Sequence, residues 1–234
     1  MTKTCSELFQ GMDCTIIGNG NEEVAGLAFR SDEVAPGDMF FCIVGTVVDG
    51  HSFAQDAIDR GATSLVAERK VYLADATDVT EVVVSDSRKA MAYASANYYD
   101  NPSRAFSLVG ITGTNGKTTT TYLVEHIASV AGNRCGVIGT VGNKIAGVME
   151  HAERTTPESP DLQKLFARMR GAGCTVVAME VSSHALDLRR TWDTDFAVTA
   201  FTNLTQDHLD YHHTFDDYFE AKALLFSKDY PARR

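Results

Sequence analysis

Short apolar runs alternate with polar, helix-patterned stretches along the chain and predict an α/β protein. In the first hundred residues Val24–Phe29, Met39–Val44, Thr63–Ala67 and Val82–Ser85 are bounded apolar runs of strand length. Between them Ser52–Arg60 sets Phe53, Ala57 and Ile58 at helical spacing, with Ser52 as cap and Gly61 as stop. A longer helix is predicted over Arg88–Tyr99, ending before Asn101-Pro102-Ser103. That proline-containing stretch predicts the boundary between a small domain, 1–102, and a second domain, 103–234.

The second half continues the alternation and implies a mostly parallel sheet. Phe106–Thr112 is an apolar run followed by a glycine-rich turn and a helix from about Lys117 to Gly132, with Leu123, Ile127 and Val130 as its apolar stripe. Arg134–Val141 reads as a strand and Pro160–Met169 as a helix. Cys174–Met179 is continuously apolar, as a strand covered on both faces is, and Phe196–Thr202 is a further strand. The last helix sets Phe215, Phe219, Ala223 and Phe226 on a predicted core face, with Lys222 bordering it and partly buried.

Composition narrows the partners. A chain of 234 residues, 44% apolar and 22% charged, is long enough for one or two ordinary globular domains. A net charge of -10 argues against nucleic acid, whose phosphates demand a basic footprint, so an anionic substrate needs a local site. Cys5, Cys14, Cys42, Cys135 and Cys174 are odd in number and lack C-x-x-C spacing, which favours a reducing compartment over a disulfide scaffold. No stretch approaches the roughly 20 apolar residues of a membrane span, and Met1–Met12 is too polar for a signal peptide. These features predict a cytoplasmic protein.

The chemistry concentrates at Gly113-Thr114-Asn115-Gly116-Lys117-Thr118-Thr119. A strand, a glycine turn and a helix start aim free N–H groups and the positive helix end at one anion. Lys117 would reach the outer phosphates and Thr118 would bind Mg²⁺. Ile111 stands where the longer phosphate-loop pattern has its first glycine, leaving the G-x-x-G-K-T core. Glu180 ends the buried strand, where an acid can hold Mg²⁺ beside the loop. After Phe196–Thr202 come His208, His212 and His213; with no cysteine near, His208 joining a Mg²⁺ site fits better than zinc, and the other two read as exposed loop residues. His51, after Asp49-Gly50, reads as a turn residue, and Lys222 by default as a lysine that snorkels to water.

The loop, Met179-Glu180-Val181-Ser182-Ser183-His184-Ala185-Leu186 and Thr202-Asn203-Leu204-Thr205-Gln206-Asp207-His208-Leu209-Asp210-Tyr211-His212 occur in order, and the chain resembles the Mur ligases. Val34–Phe40 and Asp49–Phe53 extend the resemblance into the first domain, and the branch matched acts on a UDP-N-acetylmuramoyl dipeptide. The resemblance implies a UDP-sugar-binding domain, a P-loop ATPase domain incomplete at its C-terminus, and a role in peptidoglycan precursor synthesis. ATP would phosphorylate the D-glutamate carboxylate of UDP-MurNAc-L-Ala-D-Glu, and a diamino acid would attack the acyl phosphate. It further implies that Gly113–Thr119 bind ATP, that Thr118, Glu180, His208 and Lys222 serve Mg²⁺, and that Lys117, Lys222 and His208 are catalytic. Lys222 matches a carbamylated lysine, whose carbamate would be an anionic oxygen ligand. Ser31, Thr155, Thr156, Ser182 and Arg190 match substrate-binding positions.

Two local departures stand out. The order Arg30-Ser31-Asp32 reverses the family's usual flanking charges, so that a local ion pair is preserved in reverse, and Leu188 replaces a polar contact of some members. Members also continue well beyond Lys222, so the chain reads as a fragment or a shortened product that does not turn over alone and self-associates through exposed surface near Phe226. The competing functions are a non-catalytic nucleotide-binding module and another ligase of the superfamily, such as one joining glutamates to folate. Glu180, His208 and Lys222 together speak against the first, and the N-terminal unit with Ser182-Ser183-His184 against the second.

Overall fold

A computed structural model describes residues 2–45, 47–71, 78–228 and 230. The chain divides into two compact units, Met1–Tyr98 and Tyr99–Arg234.

The first unit runs β1 (Lys3–Thr4), α1 (Cys5–Leu8), β2 (Thr15–Ile17), β3 (Glu23–Val24), β4 (Gly26–Ala28), β5 (Asp38–Phe41), α2 (Ala54–Asp59), β6 (Ser64–Ala67), β7 (Thr80–Val83) and α3 (Ser87–Tyr98). Five strands form a sheet in the order β2-β7-β6-β5-β4, parallel except for β2. Alternation along each strand divides the side chains between two faces. Met39, Phe41, Val66 and Val82 pack with Leu8 and Met91 on one face, and Phe40 and Leu65 with Ala54 and Ala57 on the other. A sheet covered on both faces explains why its strands read as continuous apolar runs.

The predicted run Val24–Phe29 is divided, because β3 pairs with β1 while β4 joins the main sheet. Neither β1, α1 nor β2 carries a long apolar run, and the pattern reading misses all three. A capping box fixes α1 instead: Thr4 Oγ1 accepts the Glu7 N–H at 3.3 Å, and Glu7 Oε2 accepts the Thr4 N–H at 2.8 Å. His51 does sit in a turn, Gly50–Phe53. Its Nε2 accepts the Glu68 N–H at 3.1 Å, so Nδ1 carries the proton it gives to Asp49 Oδ1 at 2.6 Å. Both ring nitrogens are therefore used within the unit.

The second unit runs β8 (Ser107–Thr112), α4 (Lys117–Val130), β9 (Cys135–Gly139), β10 (Gly142–Ile145), β11 (Val148–Glu150), α5 (Ser159–Gly171), β12 (Val176–Glu180), α6 (Ser183–Asp187), β13 (Val198–Phe201), α7 (Leu209–His212) and α8 (Phe215–Ala223). The sheet order is β11-β10-β9-β12-β8-β13. Four neighbours, β9, β12, β8 and β13, are parallel, and β10 and β11 extend the sheet as an antiparallel hairpin that the sequence pattern did not reveal. Leu108, Ile138, Val177 and Met179 form the core with Leu162, Phe166 and Met169 of α5 and with Phe196. Gly110 allows this packing, since a Cβ there would stand 2.5 Å from the Phe196 ring.

Two helices turn their predicted faces the other way. On α4, Leu123, Ile127 and Val130 are 55%, 67% and 76% exposed, and the side against β12 and β9 carries the smaller Thr121, Val124 and Ala128. Periodicity identifies a stripe, but small residues let the helix lie close to the sheet, and that choice decides which stripe faces it. On α8 and the turn that follows it, Phe215, Phe219 and Phe226 are exposed, while Tyr218, Ala221, Lys222 and Leu225 point inward. Tyr218 and Lys222 find polar partners inside, so a stripe that looks less apolar is the buried one. Among the described residues no helix is long and apolar enough to cross a membrane.

Candidate active site

In an open parallel sheet, groups that meet a ligand gather beyond the carboxyl ends of the strands. Here β8 lies between β12 and β13, and the segments after all three converge on a cavity of about 710 Å³. Thr114, Asn115, Gly116, Lys117 and Thr118 line it, with Thr140, Thr155, Thr156, Glu180, Ser182, His184, Arg190, His208 and Lys222.

The turn after β8 has one permitted shape. Gly113 has φ +135, and a Cβ on it would meet Thr202 Oγ1 at 2.0 Å; Gly116, at φ +85, begins α4. The segment after β13 clamps the turn. Thr114 N–H donates to Asn203 O at 2.9 Å and Asn115 N–H to Asn203 Oδ1 at 3.0 Å. Thr202 Oγ1 and Asn203 Nδ2 both donate to Asn115 O, at 2.7 and 3.0 Å. With these N–H groups tied down, the first-turn N–H groups of α4 are left for an anion. Thr119 lies on the exposed side of that turn, outside the lining.

Both expected lysines reach the same carbonyl. Lys117 Nζ donates to Gly113 O at 2.9 Å and Thr114 O at 2.8 Å, and Lys222 Nζ donates to Gly113 O at 2.9 Å. Burial lowers the pKa of Lys117, with Glu180 and Asp207 opposing. Lys222 is 1% exposed rather than partly buried, and it does not reach water. Burial, followed by repulsion from Lys117, pushes its pKa down to about 7.

Glu180 stands at the end of β12 and gathers its neighbours. Its Oε2 accepts from Thr118 Oγ1 at 2.9 Å and Thr140 Oγ1 at 3.2 Å, and Oε1 accepts the Thr140 N–H at 2.9 Å. Thr140 Oγ1 lies 3.0 Å from Thr155 Oγ1. A hydroxyl and a carboxylate in contact are the hard oxygen donors that Mg²⁺ takes, so this pair fits the ion. As an ammonium Lys222 has no lone pair to offer a metal, and it fits that role only as a carbamate.

The substrate set is partly assembled. Thr156 Oγ1 donates to Glu180 O at 2.9 Å and accepts the Ser182 N–H at 3.1 Å, while Ser182 Oγ caps α6 through the Ala185 N–H. Arg190 is already engaged: Nη1 donates to Thr156 O at 3.2 Å and Nε lies 2.8 Å from Glu158 Oε1, which also pairs with Arg154. Ser31 belongs to the first unit, where it bonds the Asp56 carboxylate and helps, with Arg60, to hold that acid below its usual range. Its neighbours keep the reversed ion pair, Arg30 Nη2 to Asp32 Oδ2 at 3.0 Å.

His208 adopts φ +52 and lines the cavity, its ring 4.9 Å from that of His184. His184 stacks on Tyr211 at 4.2 Å, and burial first, then the nearby histidines, lowers its pKa. His212 is buried in this cluster, contrary to the exposed-loop expectation, because α7 turns its ring onto Tyr218; His213 is exposed as expected. Sequence reasoning assigned no role to Thr140, His184, Asn203, Glu158 or Tyr218. Thr140 was within reach, since it directly follows β9, a parallel strand beside β12, which ends in Glu180.

Residues 111–232 match the Mur ligase middle domain, and residues 23–111 match the Mur ligase family catalytic domain. A UDP-N-acetylmuramoyl-L-alanyl-D-glutamate–2,6-diaminopimelate ligase of Geobacillus thermodenitrificans is 49% identical over 89% of this chain and 42% of its own length. The ligase of that name from Clostridium botulinum is 44% identical over 94% of this chain and 46% of its own length. A solved structure of a ligase with this name superposes with a TM-score of 0.79 at 29% identity, over 97% of this chain and 45% of the other. The chain thus spans less than half the length of the curated relatives it matches.

Proposed function

The chain belongs to the Mur ligase family, and from that premise we propose that it provides the nucleotide and UDP-sugar sites of an ATP-dependent amide ligase of peptidoglycan precursor synthesis. Residues 1–102 are the UDP-sugar domain and residues 103–234 the ATP domain of this reading. The substrates are UDP-MurNAc-L-Ala-D-Glu and a diamino acid, 2,6-diaminopimelate by the names of the relatives. The free cysteines among the described residues suit a reducing, cytoplasmic setting. The observation that carries the reading is that one cavity is lined by the phosphate loop, Glu180, His208, Lys222 and Arg190 together. A nucleotide-binding module without catalysis has no evident use for so many groups around one space.

A carboxylate is a poor electrophile, and transfer of the γ-phosphoryl group from ATP gives it a leaving group. The amine then attacks the acyl phosphate, a tetrahedral adduct forms, the nitrogen releases a proton to water, and phosphate departs with its bonding electrons. The protein's part is positioning and charge neutralisation. The first-turn N–H groups of α4 hold the phosphates, and Lys117 exchanges its two loop carbonyls for phosphate oxygens. Thr118 and Glu180, with His208 and a carbamylated Lys222, would hold Mg²⁺, which would offset the charge that develops on the transferred group. Arg190, kept straight by Glu158 and the Thr156 carbonyl, and Ser31, Thr155, Thr156 and Ser182 orient the acidic substrate.

The environment of Lys222 supports its carbamylation. A neutral amine must attack CO₂, forming the N–C bond and releasing a proton. At pH 7 a lysine with a pKa of about 7 is roughly half neutral, against less than about 0.1% for an ordinary lysine near 10.4. A carbamate carbon signal after loading with ¹³C-bicarbonate, absent from Lys222→Met, supports this; no signal in the folded wild type refutes it. Exposed Phe226 and Val198, the latter on edge strand β13, also support self-association, read as a mass that rises with concentration in light scattering. A constant monomer mass would dismiss that part.

Calorimetric titration with UDP-MurNAc-L-Ala-D-Glu, with UMP and UDP-N-acetylglucosamine as controls, tests the substrate assignment. The expected result is binding that needs the dipeptide and weakens about tenfold or more in Arg190→Ala. Equal binding of all three compounds would move the specificity away from Arg190 and its neighbours.

A further inference from the structure

We propose that Tyr218 is the positioning residue that ties the phosphate loop to Lys222, so that the site's affinity for polyphosphate depends on one buried phenol hydroxyl; this rests on the nucleotide-binding reading above. Tyr218 is 0% exposed and lies on the inward side of α8, one turn before Lys222. It touches no ligand position itself, since it is not among the residues lining the cavity.

The hydrogen bonds around Thr114 fix the direction of its contact. Thr114 Oγ1 spends its proton on Thr205 O at 3.1 Å and accepts the Thr205 N–H at 3.0 Å. A threonine hydroxyl has one proton and two acceptor sites. All three contacts are made at once when the phenol at 3.1 Å donates, filling the last acceptor site. Thr114 is then held on one side by the segment after β13 and on the other by α8.

The opposite part of the same residue serves the lysine. Lys222 Nζ lies 4.4 Å from the centre of the Tyr218 ring. That nitrogen also donates to Gly113 O, the residue before Thr114, through an N–H that a carbamate keeps. The contacts thus close a circuit through Gly113, Thr114, Tyr218 and Lys222, with the rings of His212 and His208 at 5.4 and 6.0 Å from that of Tyr218. Removing the hydroxyl leaves the volume almost unchanged and opens the circuit at its link to the loop. A buried acceptor that loses its donor invites the surrounding chain to shift, and here the chain that shifts carries the phosphate-facing N–H groups.

The test is calorimetric titration of the chain with Mg²⁺-ADP and with inorganic pyrophosphate. Tyr218→Phe is expected to weaken both about tenfold, and Thr114→Val to do the same. The double variant should lose no more than Thr114→Val alone, because that substitution already removes the Tyr218 bond together with the two to Thr205. Thr114→Ser, which keeps the hydroxyl, should bind more tightly than Thr114→Val. A merely structural tyrosine would lower the melting temperature and leave the dissociation constants of the folded protein unchanged. Wild-type affinity in Tyr218→Phe, or additive losses in the double variant, would overturn the proposal. Should Tyr218→Phe not fold, the comparison of Thr114→Val with Thr114→Ser reads the hydroxyl that carries this bond, and equal binding by those two overturns the proposal. A wild type that binds neither probe would refute the nucleotide-binding reading and this proposal with it, whereas tight wild-type binding with no loss in the variants refutes this proposal alone.

Discussion

The two units share an architecture of parallel strands with helices against them, yet they place polar groups differently. In the first, the sheet is sealed by apolar clusters on both faces, and the polar set around His51 saturates itself through Asp49, Glu68 and Arg69. In the second, Glu180, Lys222, Tyr218 and Thr156 are buried together at the carboxyl ends of the strands. Burying polar groups costs free energy unless they are paired, and a fold that only needed to be stable would not collect them at one place. The contrast teaches that parallel sheets with similar cores can differ in chemistry through the segments that follow their strands.

The largest test of the contrast is Phe40→Ala in the first unit. It is expected to lower stability by about 3–5 kcal/mol in urea unfolding while leaving ATP affinity of the folded protein unchanged. Coupled loss of affinity would show that the units are not energetically separate. Lys117→Ala should do the converse, weakening ATP about 100-fold, or ~2.7 kcal/mol, with a smaller change in unfolding. An unchanged affinity would remove Lys117 from the phosphate site.

The units should also answer pH with opposite signs. Lys222 has its folded pKa at about 7, below the ordinary value near 10.4. Between these values the unfolded chain binds the proton and the folded chain does not, so the second unit gains stability as pH rises. In the first unit burial pushes the Cys5 and Cys42 thiols up to about 12, so above about 8.5 the unfolded chain loses protons that the folded chain keeps. Its stability falls there. Cys135 and Cys174 are raised too, which makes pH 7 to about 8 the cleanest window for Lys222. Trp192, the single tryptophan, lies in the second unit and reports its unfolding; alkylation of Cys5 and Cys42 reports the first. A flat response of Trp192 unfolding between pH 7 and 8, or one unchanged in Lys222→Met, would contradict the buried-lysine account. The smallest effect is expected from Ile127→Gln on the outer stripe of α4, within about 0.5 kcal/mol of wild type. A loss of several times that would mean the stripe is covered in solution.

Much of this was legible in the sequence, and for identifiable reasons. Strands sealed on both faces, such as β5, β6 and β12, announce themselves as apolar runs, and the G-x-x-G-K-T core marks its turn because only glycine tolerates Gly113's closeness to Thr202. What failed was orientation. The apolar stripes of α4 and α8 were visible, but a helix faces the sheet with whichever side packs closest or satisfies its polar groups. The hairpin β10–β11 and the element α1 were hidden, since short strands and a capping box leave little periodic signal. His212 was hidden by tertiary contact, as its burial depends on Tyr218 and His184, each distant in motif or role. Glu180 and Lys222 were readable as positions, but their partners Thr140 and Tyr218 emerged only from the fold.

The measurement that tests the central claim most directly is equilibrium binding of ATP to the chain, with and without Mg²⁺, in wild type and Glu180→Ala. The account predicts that wild type binds ATP more tightly with Mg²⁺ and that Glu180→Ala loses this gain while retaining metal-free binding. Absence of ATP binding, or a Mg²⁺ gain that survives in Glu180→Ala, would contradict it.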